Sequence, residues 1–197
     1  MDLSEGMVRS DGCGEGEGLE PLGRYMGYEN CQGMKSMTNN VLRPIGIIRT
    51  PFKEPTGTPI QASAGKGIEA RIEIFPEFLE GIKDLDGFSH IIILFHFHLS
   101  KGYSLSVRPY MDDVERGLFA TRAPARPNQI GLSIVRLEKV EGNTLHIKDV
   151  DIVDGTPLLD IKPYTHEFDI RGDIRIGWLE GKILKLSKTT DDGRFVD

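Results

Sequence analysis

Cysteine is nearly absent from this chain of 197 residues: only Cys13 and Cys31 carry a thiol, both within the first forty positions. With no CxxC pair and no Cys/His array, neither a disulfide framework nor a structural zinc site is expected, and the core must hold by packing. Long hydrophobic runs are missing as well. The longest, Ile91 to Phe97, is already broken by His96, far short of the roughly 18 apolar residues of a membrane-spanning helix. The first residues are acidic and glycine-rich rather than basic and then apolar, so no signal peptide is read there and a soluble, cytoplasmic protein is expected. No GxGxxG follows a first strand, which removes support for a dinucleotide-type parallel α/β fold. Gly57 to Gly67 lacks the Lys-Ser/Thr ending of a phosphate loop, since Gly67 follows Lys66. Positive charge is not in excess either: the net charge of -6 argues against a general nucleic-acid binder.

The charge is unevenly spread. Residues 1–40 set seven acids, from Asp2 to Glu29, against Arg9, Arg24 and Lys35, and show no hydrophobic periodicity. They offer too little apolar surface to offset the cost of ordering a backbone, and a disordered tail is expected. By contrast, Lys101, Arg108, Arg116, Arg122, Arg126 and Arg136 outnumber Asp112, Asp113 and Glu115, so one stretch is locally basic.

Past the tail the pattern is that of strands. Val41–Thr50 reads as a strand interrupted by Pro44, and residues 51–67, rich in Pro and Gly, as a long loop of the kind that is functional or disordered. Ile68–Phe75 alternates apolar and charged residues, as a half-buried strand does. Pro76–Ile82 is a short helix with Pro at its start. Gly87–Ser100 (GFSHIIILFHFHLS) is apolar on both faces and is expected to be the central strand. Arg116–Ala120 reads as a short strand, and Ile130–Val140 with Thr144–Val153 as a hairpin around Glu141-Gly142-Asn143. Several short strands with few helices predict an all-β domain, a barrel or strongly curved sheet with short helices and long loops.

Three stretches carry candidate chemistry. In DIVDGTPLLDIKPY, residues 151–164, Asp154-Gly155 is a sharp turn whose carboxylate and amides can grip a ligand, and Pro157 is expected to bar continuation as a helix or central strand. The period of two puts His96 and His98 on one side of the pleat, a spacing that can hold a metal; no third ligand accompanies them, so packed or site-lining histidines are favoured and no metal is expected. In FATRAPARPNQIG, residues 119–131, Arg122, Arg126 and Asn128 stand between prolines, and arginine's planar fork suits phosphate or carboxylate.

Together with Thr58-Pro59-Ile60-Gln61, these motifs resemble the TsaA-like family, which includes TrmO-type tRNA methyltransferases. The resemblance runs over about residues 41–164, in the right order. It implies a single-domain β-barrel binding S-adenosyl-L-methionine, commonly as a homodimer, and methylation of N6 of the threonylcarbamoyl-modified adenosine beside the anticodon of tRNA. By motif position it places the cofactor against Pro59, Ile60, Gln61, Phe97, His98, Arg116, Asp154, Gly155, Thr156 and Pro157. Arg108, Arg122, Arg126, Asn128, Lys162 and Tyr164 then remain for the anticodon loop, whose phosphates supply much of the affinity. Asp154, Asp160 and His98 are the candidates to take the N6 proton. Asp160 is equally well explained as structural, paired with Lys162. The domain division expected is a tail at 1–40, a barrel at 41–166 and an extension at 167–197 that covers the barrel or a partner around Trp178 and frays at its end. A non-catalytic S-adenosyl-L-methionine- or RNA-binding regulator is the alternative; a metal-dependent hydrolase using His96 and His98 is remote.

Overall fold

The computed structural model describes residues 41–195; the tail and both cysteines lie outside the described residues. The first strand, β1 (Gly46–Arg49), begins two residues after Pro44 rather than at Val41, because proline has no N–H to give a ladder. β2 (Glu69–Ile74) keeps its predicted alternation: Ile72 and Ile74 are buried while Arg71 and Glu73 pair at the surface. Pro76–Ile82 is a 3-10 helix with Pro76 at its first position. β3 (His90–His96) buries Ile91, Ile93 and Phe95 and turns Ile92, Leu94 and His96 outward, where they are only half-buried.

β4 (Ser106–Val107) and β5 (Arg116–Gly117) form a two-stranded ribbon. The strand expected through Ala120 stops early because Leu118–Ala120 winds into a 3-10 turn that buries Leu118. β6 (Ile130–Glu141) and β7 (Thr144–Lys148) are the predicted hairpin, with Gly142 at φ 58° in its turn, a conformation glycine adopts without strain. β7 ends at Lys148 rather than Val153 because Asp149 is left-handed, φ 65°. The Asp149 carboxylate accepts the Gly67 amide at 2.7 Å, tying the β1–β2 loop to this bend.

β8 (Thr156–Pro163) overturns the expectation for Pro157: the proline lies within a barrel strand, opposite Ile47. Pairing with β3 begins only at Leu158, so Pro157 stands where one side of the ladder is still open. A short helix, α1 (His166–Asp169), follows.

Six strands close into a barrel in the order β1-β2-β7-β6-β3-β8, every neighbouring pair antiparallel. Closure leaves no strand edge in the barrel exposed for further pairing. The interior is mostly β-branched: Ile48, Ile72, Ile91, Ile93, Val135 and Ile147 are at most 1% exposed, and each such burial contributes at most about 1.5–3 kcal/mol. Among the described residues no helix is long and apolar enough to cross a membrane.

Antiparallel closure sorts the connections by end. Residues 50–68, 97–129 and 149–155 all leave the same end of the barrel, whereas residues 75–89 and the turn at 142–143 leave the other. The segment after α1 lies against the first group. Trp178 donates its indole N–H to the Ala120 carbonyl at 2.7 Å, and Thr190 forms a β-bridge with Pro59. Asp112, almost fully buried, holds Lys182 and Arg116, and both cations lie over the Trp178 ring.

Candidate active site

A cavity of about 320 Å³ opens where the three long connections meet. Its floor comes from the ends of β3 and β6, where Phe95 packs over Gly131; a Cβ at that position would overlap the Phe95 ring. The walls are Pro59-Ile60-Gln61, Phe97-His98, Arg122, Arg126, Asp151-Ile152 and Thr156. Phe95 and Phe97 meet edge to face at 5.2 Å, which gives the cavity an aromatic side.

His98 reaches this cavity because the strand stops before it. Its amide donates to the His96 carbonyl at 2.8 Å, a tight turn that takes His98 off the pleat. The two histidines therefore do not share a face. His96 meets the Gln129 side chain at 3.3 Å, whereas His98 Nδ1 lies 3.4 Å from Thr156 Oγ1. The Thr156 hydroxyl donates to the Val153 carbonyl at 2.7 Å, so its oxygen is left to accept and Nδ1 of His98 carries the hydrogen, leaving Nε2 as a lone-pair acceptor. Burial lowers the His98 pKa, with the neighbouring His96 charge acting the same way, and favours a neutral imidazole. Among the described residues no three His, Cys, Asp or Glu side chains gather as a metal site.

Opposite stands Asp151. It is half-buried, and its Oδ1 accepts the Ser133 hydroxyl at 2.7 Å. Desolvation raises its pKa to about 6 against the opposing pull of Ser133, nearby amides and Arg122. Arg122 donates from Nη1 to Gln61 Oε1 at 2.8 Å, and Arg126 is braced on the Thr121 carbonyl at 3.1 Å.

Of the residues singled out in the sequence, the structure gathers Pro59, Ile60, Gln61, Phe97, His98 and Thr156 on the cavity and adds Arg122 and Arg126, read there as RNA contacts. The others lie elsewhere. Asp154 accepts the Thr50 amide at 3.0 Å and pairs with Lys53 at 2.9 Å; that lysine holds its carboxyl below the usual range, which suits a brace and not a base. Neither Gly155 nor Pro157 lines the wall. Arg116 is spent on Asp112 at 2.8 Å. Asp160 pairs with Lys162 at 2.8 Å outside the cavity, and Tyr164 bonds back to His90 at the opposite end. Along β8, the run from Thr156 to Lys162 puts roughly 20 Å of strand between Lys162 and the cavity end. Arg108 and Asn128 are exposed on the long connection that helps form the rim. Asp151, Ser133 and Tyr110 were not legible as site residues; the one signal for Asp151 is a carboxylate set between two core residues, Val150 and Ile152.

The site fits a polar ligand with an aromatic part. Ser100 Oγ and Tyr110 Oη, both buried on the cavity wall, have no hydrogen-bond partner among the described residues, and a buried hydroxyl left so is costly unless a ligand satisfies it. Burial first, and then Asp191 close by, push the Tyr110 phenol far above its usual pKa, so it stays a donor.

A closed antiparallel barrel whose mouth carries a part-aromatic, part-charged cavity defines a small-ligand-binding barrel. Residues 47–170 match the family model described as the tRNA-methyltransferase O N-terminal domain, and the chain belongs to that family. It is 63% identical over 153 residues to a probable S-adenosyl-L-methionine-binding protein of Pyrococcus abyssi, covering 78% of this chain and 83% of that one. It is 39% identical to the human tRNA (adenine(37)-N6)-methyltransferase, over 77% of this chain but only 37% of the human one. A crystal structure of TrmO from Pseudomonas aeruginosa superposes with a TM-score of 0.60 at 37% identity, covering 72% of this chain and 63% of that one. The chain thus spans about a third of the human relative and under two thirds of the bacterial structure.

Proposed function

We propose that this protein is an S-adenosyl-L-methionine-dependent methyltransferase acting on N6 of the adenosine beside the anticodon of tRNA. The observation that carries the reading is the cavity itself: in a chain of this family, the proline-isoleucine-glutamine, phenylalanine-histidine and arginine motifs converge on one pocket with unsatisfied hydroxyls. When bound, the cofactor supplies an electrophilic methyl. The chain's own residues bind and orient. Phe97 and Ile60 offer apolar faces to an adenine ring; Arg122, held by Gln61, suits the amino-acid carboxylate; Ser100, Tyr110 and Thr156 are hydroxyls for its polar edges. Orientation of the two reactants alone lowers such barriers by about 7–11 kcal/mol in favourable systems.

Arg126, Arg108 and Asn128 lie on the connection bordering the cavity and suit the phosphates of a single-stranded loop, whose unstacked base is the form a pocket accepts. Lys162 and Tyr164 meet that RNA only if it extends down the barrel. The substrate adenosine is taken as already threonylcarbamoylated. We also read the protein as a homodimer: Ile130, Leu132 and Ile134 leave an outward apolar strip on β6, opposite Ile92 and Leu94 of β3, which a second copy would cover.

The test is transfer of labelled methyl to total tRNA from cells lacking the gene, with Arg122→Ala as control and a second tRNA pool lacking the threonylcarbamoyl group. Label on N6 of an anticodon-loop adenosine, lost in the control, is expected. A second reading has one observation in its favour, since the Pyrococcus relative, of which this chain covers far more than of the human enzyme, is named for binding alone. Calorimetric cofactor binding with no label in any tRNA would make the regulator the better account.

A further inference from the structure

The proposed reaction leaves one atom unassigned. As the N6 lone pair forms the new C–N bond and the methyl's bond to sulfur breaks with its electron pair left on sulfur, the N–H proton must go to a base within the cavity. Asp154 and Asp160, the carboxylates of the two most conspicuous motifs, are outside that cavity and already paired with Lys53 and Lys162. Three acceptors remain on its wall, His98, Asp151 and Asp191; the last is set aside because its Oδ1 already holds the Gly193 amide at 2.7 Å and its charge faces the Tyr110 phenol.

We propose that Asp151, positioned by Ser133, is the proton acceptor, taking the N6 proton on the carboxylate oxygen that Ser133 leaves free and passing it to solvent. The inference rests on the methyltransferase reading. Its geometry is specific: Oδ1 is fixed by the Ser133 hydroxyl at 2.7 Å, Oδ2 has no side-chain partner among the described residues, and both residues line the cavity from β6 and from the connection into β8. Charge separates the two candidates. Arg122 and Arg126 line the same space and the bound sulfonium adds a third positive charge, so a proton on His98 would create a further cation in a poorly solvated site. A proton on Asp151 instead discharges a half-buried, desolvated anion. The titratable groups facing Asp151 in the cavity are His98, Tyr110, Asp191 and the two arginines; Arg122 is the cation whose field reaches it most strongly. Desolvation already sets the Asp151 pKa at about 6, so near neutral pH the group is ionised and close to the value that favours general-base work.

Two readouts test this. Carboxyl NMR of the cofactor-free protein should show Asp151 titrating near pH 6, and at higher pH in Ser133→Ala, because the lost hydrogen bond favoured the charged form. In methyl transfer to tRNA, Asp151→Asn should lower kcat at least 100-fold with cofactor Kd changed less than threefold. The acid limb of the wild-type pH profile should follow the NMR value and move upward with it in Ser133→Ala. The assignment is overturned by Asp151→Asn retaining kcat within a few-fold, by a cofactor Kd raised tenfold with kcat kept, or by an acid limb that ignores Ser133→Ala and vanishes in His98→Asn. A wild-type protein that transfers no methyl ends the enzyme reading and this one with it, whereas an active wild type with an active Asp151→Asn ends this one alone.

Discussion

The two ends of the barrel are made from the same six strands and differ in almost everything else. At one end the strands are joined by a three-residue 3-10 turn, a seven-residue one and a hairpin turned on Gly142; charged groups there pair, as Lys162 does with Asp160, and Thr165 holds its one unpartnered buried hydroxyl among the described residues. At the other end three long connections stack with the C-terminal segment. Polar groups there are left over: Ser100 and Tyr110 lack partners and Asp151 is ionised against the preference of its surroundings. A closed barrel is a rigid frame, and what the frame does not need for its own stability can be held in unfavourable states at one rim.

The largest effect that would break this contrast is a change both ends share. Leu158→Ala, at a fully buried position, should lower stability by about 2–5 kcal/mol in urea unfolding and abolish cofactor binding only by unfolding the frame. A change confined to the open end comes next. Asp151→Asn should stabilise the protein at pH 8, since the gap between a folded pKa of about 6 and the unfolded value of 3.8 is worth about 3 kcal/mol, less about 1 kcal/mol for the altered Ser133 bond. The sign follows from a raised carboxylate: its ionised form destabilises the fold above pH 6, the penalty fades between pH 6 and 3.8, and below that it is gone. Thermal melts of wild type and variant across that window should converge as pH falls; parallel curves would place Asp151 in ordinary solvent.

Gly131→Ala sharpens the contrast further. The added methyl must displace the Phe95 ring, costing about 1–3 kcal/mol, and it should weaken cofactor binding measured by calorimetry because that ring is part of the cavity floor. At the opposite end, Lys162→Ala removes only an exposed pair, so stability should change by less than about 1 kcal/mol and cofactor affinity not at all. An affinity loss there would mean that the two ends are coupled.

The frame was legible because a half-buried strand writes itself at period two, as Ile72 and Ile74 do against Arg71 and Glu73; along β3, Ile92 and Leu94 on the outer face masked the same alternation, which appears only in the fold, where Ile91, Ile93 and Phe95 turn inward. Pro157 misled, since the rule against strand prolines assumes a ladder on both sides and here one side starts a residue later. His98 misled in the same way, because periodicity says where a residue points only until the strand ends, and the turn to the His96 carbonyl comes one residue too soon. Among the arginines, sequence could not tell Arg116 from Arg122, because the acid that claims Arg116 is Asp112, and only folding brings Lys182 and Trp178 to the same spot. Asp151 was hidden by its neighbour: three residues on, Asp154 has the turn signal, but the turn spends that carboxylate on Thr50 and Lys53.

The bridge between Pro59 and Thr190 joins residues far apart in the chain, and Asp191 and Phe195 complete the wall that Pro59 begins. During synthesis the last barrel strand is finished at Pro163, well before those residues are made. A nascent chain at that stage owns a closed frame but a cavity lacking one side, and competence to grip a ligand arrives only once Asp191 and Phe195 have been made.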